Sequence, residues 1–227
     1  MLLYYITDRA AFPGDEHTRS QRLLDKIAEA TTHGIDYIQL REKDLSAREL
    51  ESLAHEAMRI IDQKRKPATG HHPRTTALLI NSRTDVAIAT DADGVHLRGV
   101  DVFPQEVRAA WKTARCGTGT PAREISPRDP FISVSCHSLE EVAQAEANQA
   151  TFAVLGPIFE KAAAPGVSLA GLEALRDACH AKIPVFALGG VTLQNAQSCL
   201  QAGAYGIAAI RLFQQNDIAT VVRELRG

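Results

Sequence analysis

The sequence has no apolar stretch near the roughly 18 residues that a membrane-spanning helix requires. Its first residues, Met1–Arg9, hold only a short apolar run that a charge follows at once, which is not the pattern of a signal peptide. We therefore expect no membrane partner and a cytoplasmic location.

An excess of charge is also absent, because 25 Lys and Arg stand against 27 Asp and Glu, a formal net charge of −2. This balance argues against nucleic acid as a partner, so any anion has to bind at one local site.

Cysteine is scarce as well. The 4 cysteines are far apart and form no Cys-x-x-Cys pair, which argues against a zinc or redox motif. A homo-oligomer is compatible with the sequence, but no feature specifies one.

Short apolar segments alternate with amphipathic segments along the whole chain. The apolar segments predict eight strands: Leu3–Thr7, Tyr37–Leu40, Ala77–Ile80, Gly94–Leu97, Ile132–Ser135, Phe152–Leu155, Val185–Leu188 and Gly206–Ile210. The amphipathic segments predict a helix after each strand: Ser20–His33, Ser46–Ile61, Thr84–Ala89, Pro104–Trp111, Leu139–Asn148, Leu169–His180, Leu193–Ala202 and Ile218–Leu225. Eight such units in one domain, residues 1–227, favour an α/β fold of the (β/α)8 TIM-barrel type. A doubly wound open sheet is the alternative.

Two polar segments, Lys64–Arg74 and Arg115–Pro130, follow predicted helices. In a barrel they are expected at the face away from the active site, because that site is built from the segments after the strands. The pair His71-His72 is interpreted as solvated rather than as a metal site.

Glycine and arginine follow the last two predicted strands. Gly189-Gly190 comes after strand seven and before a helix expected to begin near Thr192. Because glycine has no side chain, its backbone N–H groups can approach an anion closely. The loops after strands seven and eight are the usual phosphate site of a barrel. Ile210-Arg211 adds further amides and a guanidinium. We therefore expect a small phosphorylated substrate at this end of the strands.

A second polar group follows strands two to four. Arg41 and Lys43 alternate along an extended segment and therefore project to one side, where together they could clamp an anionic group. Asn81 and Asp101 follow the next two strands. Taken alone, however, Arg41-Glu42-Lys43 would be interpreted as a solvated charge run.

His137 directly follows strand five, and histidine is suited to general acid or base catalysis near neutral pH. A lone histidine is nevertheless more often structural. Cys136, its neighbour, is expected to be a packing residue, because successive residues of a strand point to opposite faces.

Five motifs occur in order at these strand ends. They are Gln39–Lys43, Asp93–Leu97, Ser133–Glu141, Gly156–Phe159 and Ala187–Val191. Over nearly its whole length the chain resembles the thiamine phosphate synthase family, which includes the TenI-type thiazole tautomerases. The resemblance implies a TIM-barrel enzyme of thiamin biosynthesis that binds thiazole phosphate and, in a synthase, a pyrimidine diphosphate.

In a synthase of this family, a pyrimidine methyl diphosphate loses pyrophosphate and the thiazole nitrogen captures the carbocation. The resemblance assigns the diphosphate to Gln39, Arg41, Lys43, Asn81 and Ser135, the thiazole phosphate to Gly189, Gly190, Ile210 and Arg211, and magnesium to Asp101.

Three positions depart from the pattern of the synthases. Ser82 stands where they carry a second magnesium-binding Asp, and a hydroxyl is a poorer ligand for a hard cation than a carboxylate. The segment Glu160–Pro165 lacks both hydroxyls of their Thr-x-Thr-Lys stretch, although Lys161 partly replaces its lysine in another register. Arg211 stands where they have a small Ser.

These departures favour tautomerase chemistry, which moves a proton on the thiazole phosphate and needs no cofactor, with His137 as the catalytic residue. Retention of Arg41 and Lys43 favours the alternative, a thiamine-phosphate synthase that uses Mg²⁺. A non-catalytic phosphate-binding paralogue is a third hypothesis.

Overall fold

Eight parallel strands close into a barrel in the order of the sequence. The strands are β1 (Leu2–Ile6), β2 (Tyr37–Leu40), β3 (Ala77–Asn81), β4 (Gly94–Leu97), β5 (Phe131–Cys136), β6 (Phe152–Leu155), β7 (Val185–Leu188) and β8 (Gly206–Ala209). The computed structural model describes residues 1–64, 76–99, 101–116, 129–159 and 169–227. The last strand pairs with the first, with Leu2 opposite Gly206 and Tyr5 opposite Ala209. The predicted TIM barrel is therefore confirmed, and the open sheet is wrong.

Helices alternate with these strands in the part of the chain that the structure describes. They are α1 (Glu16–Thr32), α2 (Ala47–Lys64), α3 (Thr84–Ala89), α4 (Pro104–Cys116), α5 (Leu139–Ala147), α6 (Gly171–Ala178), α7 (Ala196–Gln201), α8 (Arg211–Gln214) and α9 (Ile218–Arg226). A short 3₁₀ turn, Arg9–Ala11, precedes α1. Across the described ranges, we find no helix with the length and apolar character needed to traverse a bilayer.

The barrel interior is filled by aromatic rings, because alternate residues of each strand point inward. The ring of Tyr4 lies 5.6 Å from that of Phe152, which lies 4.8 Å from that of Phe186. Leu3 and Tyr5 point the opposite way, into the larger core between the barrel and its helices. The interior is therefore packed, and a substrate has to bind at the ends of the strands.

Two helix starts differ from the prediction. Asp15 accepts a hydrogen bond from the Thr18 amide, so α1 begins at Glu16 instead of Ser20. After β7, the amide of Thr192 donates to the Asn195 side chain at 2.8 Å and closes a turn, so α7 begins only at Ala196. The expected helix start near Thr192 is therefore wrong, since this turn separates the glycine pair from α7.

Three segments discussed above fall mostly on residues 65–75, 117–128 and 160–168, which lie outside the described residues. They include His71-His72, Glu160–Pro165 and the Lys161 position.

Candidate active site

Polar side chains gather at the carboxyl ends of the strands, which all meet at one face of the barrel because the strands are parallel. The predicted site residues found at these ends are Gln39, Arg41, Lys43, Asn81, Asp101, Ser135, His137, Gly189, Gly190, Ile210 and Arg211. Lys161, predicted to bind substrate, lies outside the described residues.

A buried ion pair fixes the segment that carries Arg41. Glu42 is 6% exposed and Arg9 is 2% exposed, and Arg9 Nη1 lies 3.3 Å from Glu42 Oε2. The Thr7 hydroxyl donates to Glu42 Oε1 at 2.5 Å and accepts from the Arg41 amide at 3.0 Å. Burial raises the pKa of the Glu42 carboxyl, and the bonds from Thr7 and Arg9 oppose that rise. The charge run is therefore not solvated throughout, because its central residue is a buried anchor.

Two cations flank this anchor. Arg41 is half-buried and Lys43 is exposed, and neither forms an ion pair with a described residue. The pKa of the Lys43 ammonium is lowered, first by the charge of Arg41, then by partial burial and by the charge of Arg98. Mutual repulsion of this kind indicates a site that gains by binding an anion.

Asp101, the residue assigned to magnesium, is surrounded by donors. Arg98 Nη2 donates to Asp101 Oδ1 at 2.9 Å, and the Arg98 amide donates to Oδ2 at 2.7 Å. The hydroxyl of Ser82 also donates to Oδ2, at 2.7 Å. Burial raises the pKa of the Asp101 carboxyl, but these hydrogen bonds outweigh it and hold the pKa below its usual value.

These groups do not fit Mg²⁺, which demands near-octahedral oxygen ligands. Both oxygens of Asp101 already accept hydrogen bonds, and Ser82 brings a donor where a second carboxylate is needed. Asn81 Nδ2 in turn points to the Ser82 oxygen, at 3.3 Å. Among the residues that the structure describes, no cluster of three or more His, Cys, Asp or Glu side chains could hold a metal ion.

A chain of buried polar side chains lies directly beneath these residues. Gln39, 1% exposed, donates through Nε2 to the Tyr4 hydroxyl at 3.0 Å. That hydroxyl lies 3.2 Å from Ser133 Oγ, which lies 2.8 Å from His96 Nδ1. Burial, followed by the charge of Arg41, lowers the pKa of His96 to about 3. His96 is therefore a neutral packing and hydrogen-bonding residue at physiological pH, unlike an acid–base catalyst.

This depressed pKa predicts a pH-dependent stability. An unfolded histidine takes up a proton below about pH 6.5, whereas His96 in the folded protein does so only near pH 3. The contribution of the neutral His96 to the free energy of unfolding is therefore fully present above pH 6.5. It decreases as the pH falls towards 3, and at pH 5 the decrease is about 2 kcal/mol. Urea unfolding at pH 7.5 and pH 5 measures the loss, which His96→Asn is expected to remove. The exposed His180→Asn is the control, and an equal acid loss in the wild type and in His96→Asn would contradict the assignment.

His137 is exposed at the end of β5 and is held in one orientation. Its amide donates to Glu141 Oε2 at 2.6 Å, and its Nδ1 lies 2.6 Å from the Gly156 carbonyl oxygen. Because a carbonyl oxygen only accepts, Nδ1 carries the proton and Nε2 of the neutral ring is left as an acceptor. Cys136 is fully buried towards the helices, and burial raises the pKa of its thiol to about 12. This is the environment of a packing residue rather than a nucleophile.

The glycines after β7 serve packing as well as access. Gly189 has a φ of +98°, and a Cβ there would lie 2.7 Å from the Cα of Pro157. Its carbonyl oxygen accepts a hydrogen bond from the Phe159 amide at 3.0 Å. Gly190, with a φ of +65°, accepts from Asn195 Nδ2 at 3.0 Å. The absence of a side chain at Gly189 is therefore required by the segment after β6, which the sequence pattern did not indicate.

The segment after β8 was predicted as a loop, but it turns directly into α8. Ile210 is the N-cap of this helix and packs on the interior core, while Arg211 is exposed at its first position. Gln214 is buried and accepts from the Tyr5 hydroxyl at 3.0 Å and from the Asp8 amide at 3.1 Å. These bonds tie α8 to the end of β1, so that Arg211 sits on a fixed support.

Comparison with known proteins agrees with this architecture. The family described as "Thiamine monophosphate synthase" matches residues 3–213. A thiamine-phosphate synthase from Methanospirillum hungatei is 34% identical over 227 residues, covering 98% of this chain and 94% of that protein. One from Clostridium acetobutylicum is 33% identical over 211 residues, covering 92% and 84%.

A solved structure, the thiamine phosphate pyrophosphorylase from Pyrococcus furiosus, superimposes with a TM-score of 0.74 at 28% identity, covering 99% of this chain and 93% of that one. These relatives confirm the expectation of a thiamin-biosynthetic enzyme. By the match over nearly its whole length, the chain belongs to the thiamine monophosphate synthase family.

Proposed function

We propose that this chain is a thiamine-phosphate synthase, which joins a pyrimidine methyl diphosphate to thiazole phosphate and releases pyrophosphate. The observation that carries the proposal is the pair of cations at the end of β2, Arg41 and Lys43, neither of which is ion-paired with a described residue. The relatives from Methanospirillum hungatei and Clostridium acetobutylicum are both named thiamine-phosphate synthase. The predicted preference for tautomerase chemistry has no specific support from them, so the alternative becomes the main proposal.

The proposed reaction begins when the bond between the pyrimidine methylene carbon and the diphosphate oxygen breaks, with both electrons leaving on the oxygen. The thiazole nitrogen then donates its lone pair to the methylene carbocation. Negative charge therefore develops on the departing diphosphate, where the guanidinium of Arg41 and the ammonium of Lys43 stabilise it. An anion between them also relieves their mutual repulsion, which lowers the pKa of Lys43 in the free protein.

The remaining residues of the site would hold the second substrate. Arg211 and the backbone around Gly190 would bind the thiazole phosphate, since both lie after the last two strands, where barrels bind phosphate. Gln39 and Ser135, on β2 and β5, would remain with the diphosphate, to which the family resemblance assigns them. The fixed support of α8 would keep the thiazole nitrogen close to the carbocation, and such positioning accounts for much of the rate of a bimolecular reaction.

His137 favours thiazole tautomerisation as a second candidate. Its Nδ1 donates to the Gly156 carbonyl, so Nε2 is free to take a proton from a bound thiazole. This chemistry requires only the phosphate site near Arg211 and leaves the cations at β2 without a ligand.

One set of assays separates the candidates. The wild-type protein is incubated with the pyrimidine diphosphate, thiazole phosphate and Mg²⁺, and thiamin phosphate is measured; we expect product, and we expect His137→Ala to retain it within about tenfold. The non-aromatic thiazole isomer is tested in parallel, with the exposed His180→Ala as the matched control. If no thiamin phosphate forms and isomerisation is lost in His137→Ala alone, the tautomerase replaces the proposal. Binding without either reaction would indicate the non-catalytic paralogue.

A further inference from the structure

Arg98 donates hydrogen bonds to both oxygens of Asp101, the residue to which the family resemblance assigns magnesium. We propose that its guanidinium is a built-in cation of the diphosphate site, so that Arg41, Lys43 and Arg98 together bind the diphosphate without a divalent metal. This inference rests on the proposed synthase function, because it concerns the same anion.

The contacts of Asp101 support this role. Its two oxygens accept from Arg98 Nη2 at 2.9 Å, from the Arg98 amide at 2.7 Å and from the Ser82 hydroxyl at 2.7 Å. A metal ion bound to the same oxygens would have to displace a cation that is already bound there. The side chain of Asp101 is only 11% exposed, so little of the carboxylate is left for a further ligand.

Arg98 has donors left for a substrate. A guanidinium carries five N–H donors, and Arg98 directs only Nε and Nη2 towards Asp101, while Nη1 donates to no described residue. Its side chain is 55% exposed at the active-site end of β4. Its charge also contributes to the lowered pKa of Lys43, and both residues follow strands, β4 and β2, whose carboxyl ends meet at one face of the barrel. A diphosphate at Arg41 and Lys43 would therefore also face Arg98.

Ser82 is held where a second carboxylate would be needed for a metal. Its amide donates to the His96 carbonyl oxygen at 2.8 Å, and its φ of +58° lies in the left-handed region. Asp adopts this region more readily than most residues, so Ser82→Asp should fold. Restoring that carboxylate while removing Arg98 should therefore convert the site into a metal-dependent one.

Titration calorimetry with inorganic pyrophosphate tests the wild-type protein. We expect the dissociation constant in EDTA to lie within about threefold of that in Mg²⁺, after correction for the magnesium pyrophosphate complex. Electron paramagnetic resonance with Mn²⁺, which takes similar oxygen ligands, should detect no bound ion in the absence of pyrophosphate. A loss of pyrophosphate affinity of more than tenfold in EDTA, or a bound Mn²⁺ ion, would overturn the proposal.

Variants then test whether Arg98 binds the diphosphate or only stabilises its own loop through Asp101. Arg98→Ala should weaken pyrophosphate binding in EDTA by about tenfold or more, Arg98→Lys by clearly less, and the exposed Arg223→Ala not at all. Asp101→Asn should leave binding unchanged or stronger, because it removes a negative charge; a metal ligand would lose binding instead. The Ser82→Asp, Arg98→Ala double variant should bind Mn²⁺ and regain pyrophosphate affinity when Mg²⁺ is added.

The two proposals fail in different ways. Metal-independent pyrophosphate binding without thiamin phosphate formation would overturn the synthase function alone. Thiamin phosphate formation that EDTA abolishes, with Asp101→Asn inactive, would overturn the role of Arg98 alone. The wild-type comparison in EDTA needs no variant, so the test stands even where a variant does not fold.

Discussion

Arg41→Ala is expected to reduce kcat/KM for the pyrimidine diphosphate by about 10²–10³-fold, measured as thiamin phosphate formation. Removal of one donor that stabilises developing negative charge has effects of about this size. Arg41 is half-buried and has no ion-pair partner among the described residues, so its charge is available to the substrate and not neutralised by the protein. The KM for thiazole phosphate should change little, because that phosphate is assigned to the segments after β7 and β8 and not to the segment after β2.

Two controls accompany this measurement. Arg41→Lys should recover part of the activity, since it keeps the charge but loses the planar bidentate donors. Arg59→Ala removes an exposed arginine of α2 and should leave kcat/KM unchanged. A loss below about threefold in Arg41→Ala, or an equal rise in the KM of both substrates, would show that Arg41 does not hold the diphosphate.

Glu42→Ala is expected to lower the free energy of unfolding by about 3 kcal/mol, measured by urea denaturation. The substitution removes the acceptor of the buried Thr7 hydroxyl, of the Arg9 amide and of Arg9 Nη1. Arg9 would keep only carboxylates that are themselves more than half exposed, Glu16 and Asp44. Buried donors without acceptors cost far more than a surface ion pair contributes.

The exposed pair of Arg83 and Asp85 provides the matched control for this prediction. Asp85→Ala should cost less than about 1 kcal/mol, because that ion pair is largely solvated. Glu42→Gln should fall between the two, since it keeps an acceptor for Thr7 but loses the charge facing Arg9. Equal stability losses in Glu42→Ala and Asp85→Ala would mean that Glu42 is not an anchor.

The strands were predictable because each is a short apolar run followed by an amphipathic one. All eight predicted strands agree with the structure to within one residue at each end, and some, for example Tyr37–Leu40 and Val185–Leu188, match fully. Helix starts were less predictable, since they depend on side-chain caps such as Asp15 and on turns such as that closed by Asn195.

Most of the candidate site could also be located from the sequence, because the segments after parallel strands converge whatever their lengths. The contacts that each of these residues makes could not be predicted from the sequence. The run Arg41-Glu42-Lys43 has one composition but two environments, with Glu42 buried beside Arg9, 33 residues earlier in the chain, and Lys43 exposed. No local pattern distinguishes these environments, because burial at a strand end depends on the neighbouring strand.

The sequence by itself determined the barrel and the family, since periodicity and strand-end motifs are local properties of the chain. Only the tertiary structure decided which charges are neutralised. The approach of the β3 and β4 ends brings Ser82 within 2.7 Å of Asp101, 19 residues away, and the folded β4 segment lays Arg98 over the same carboxylate. Because a charge acts on a ligand only when no protein group has already paired it, these contacts decide that Arg41 and Lys43 are available for an anion while Asp101 is not available for a metal.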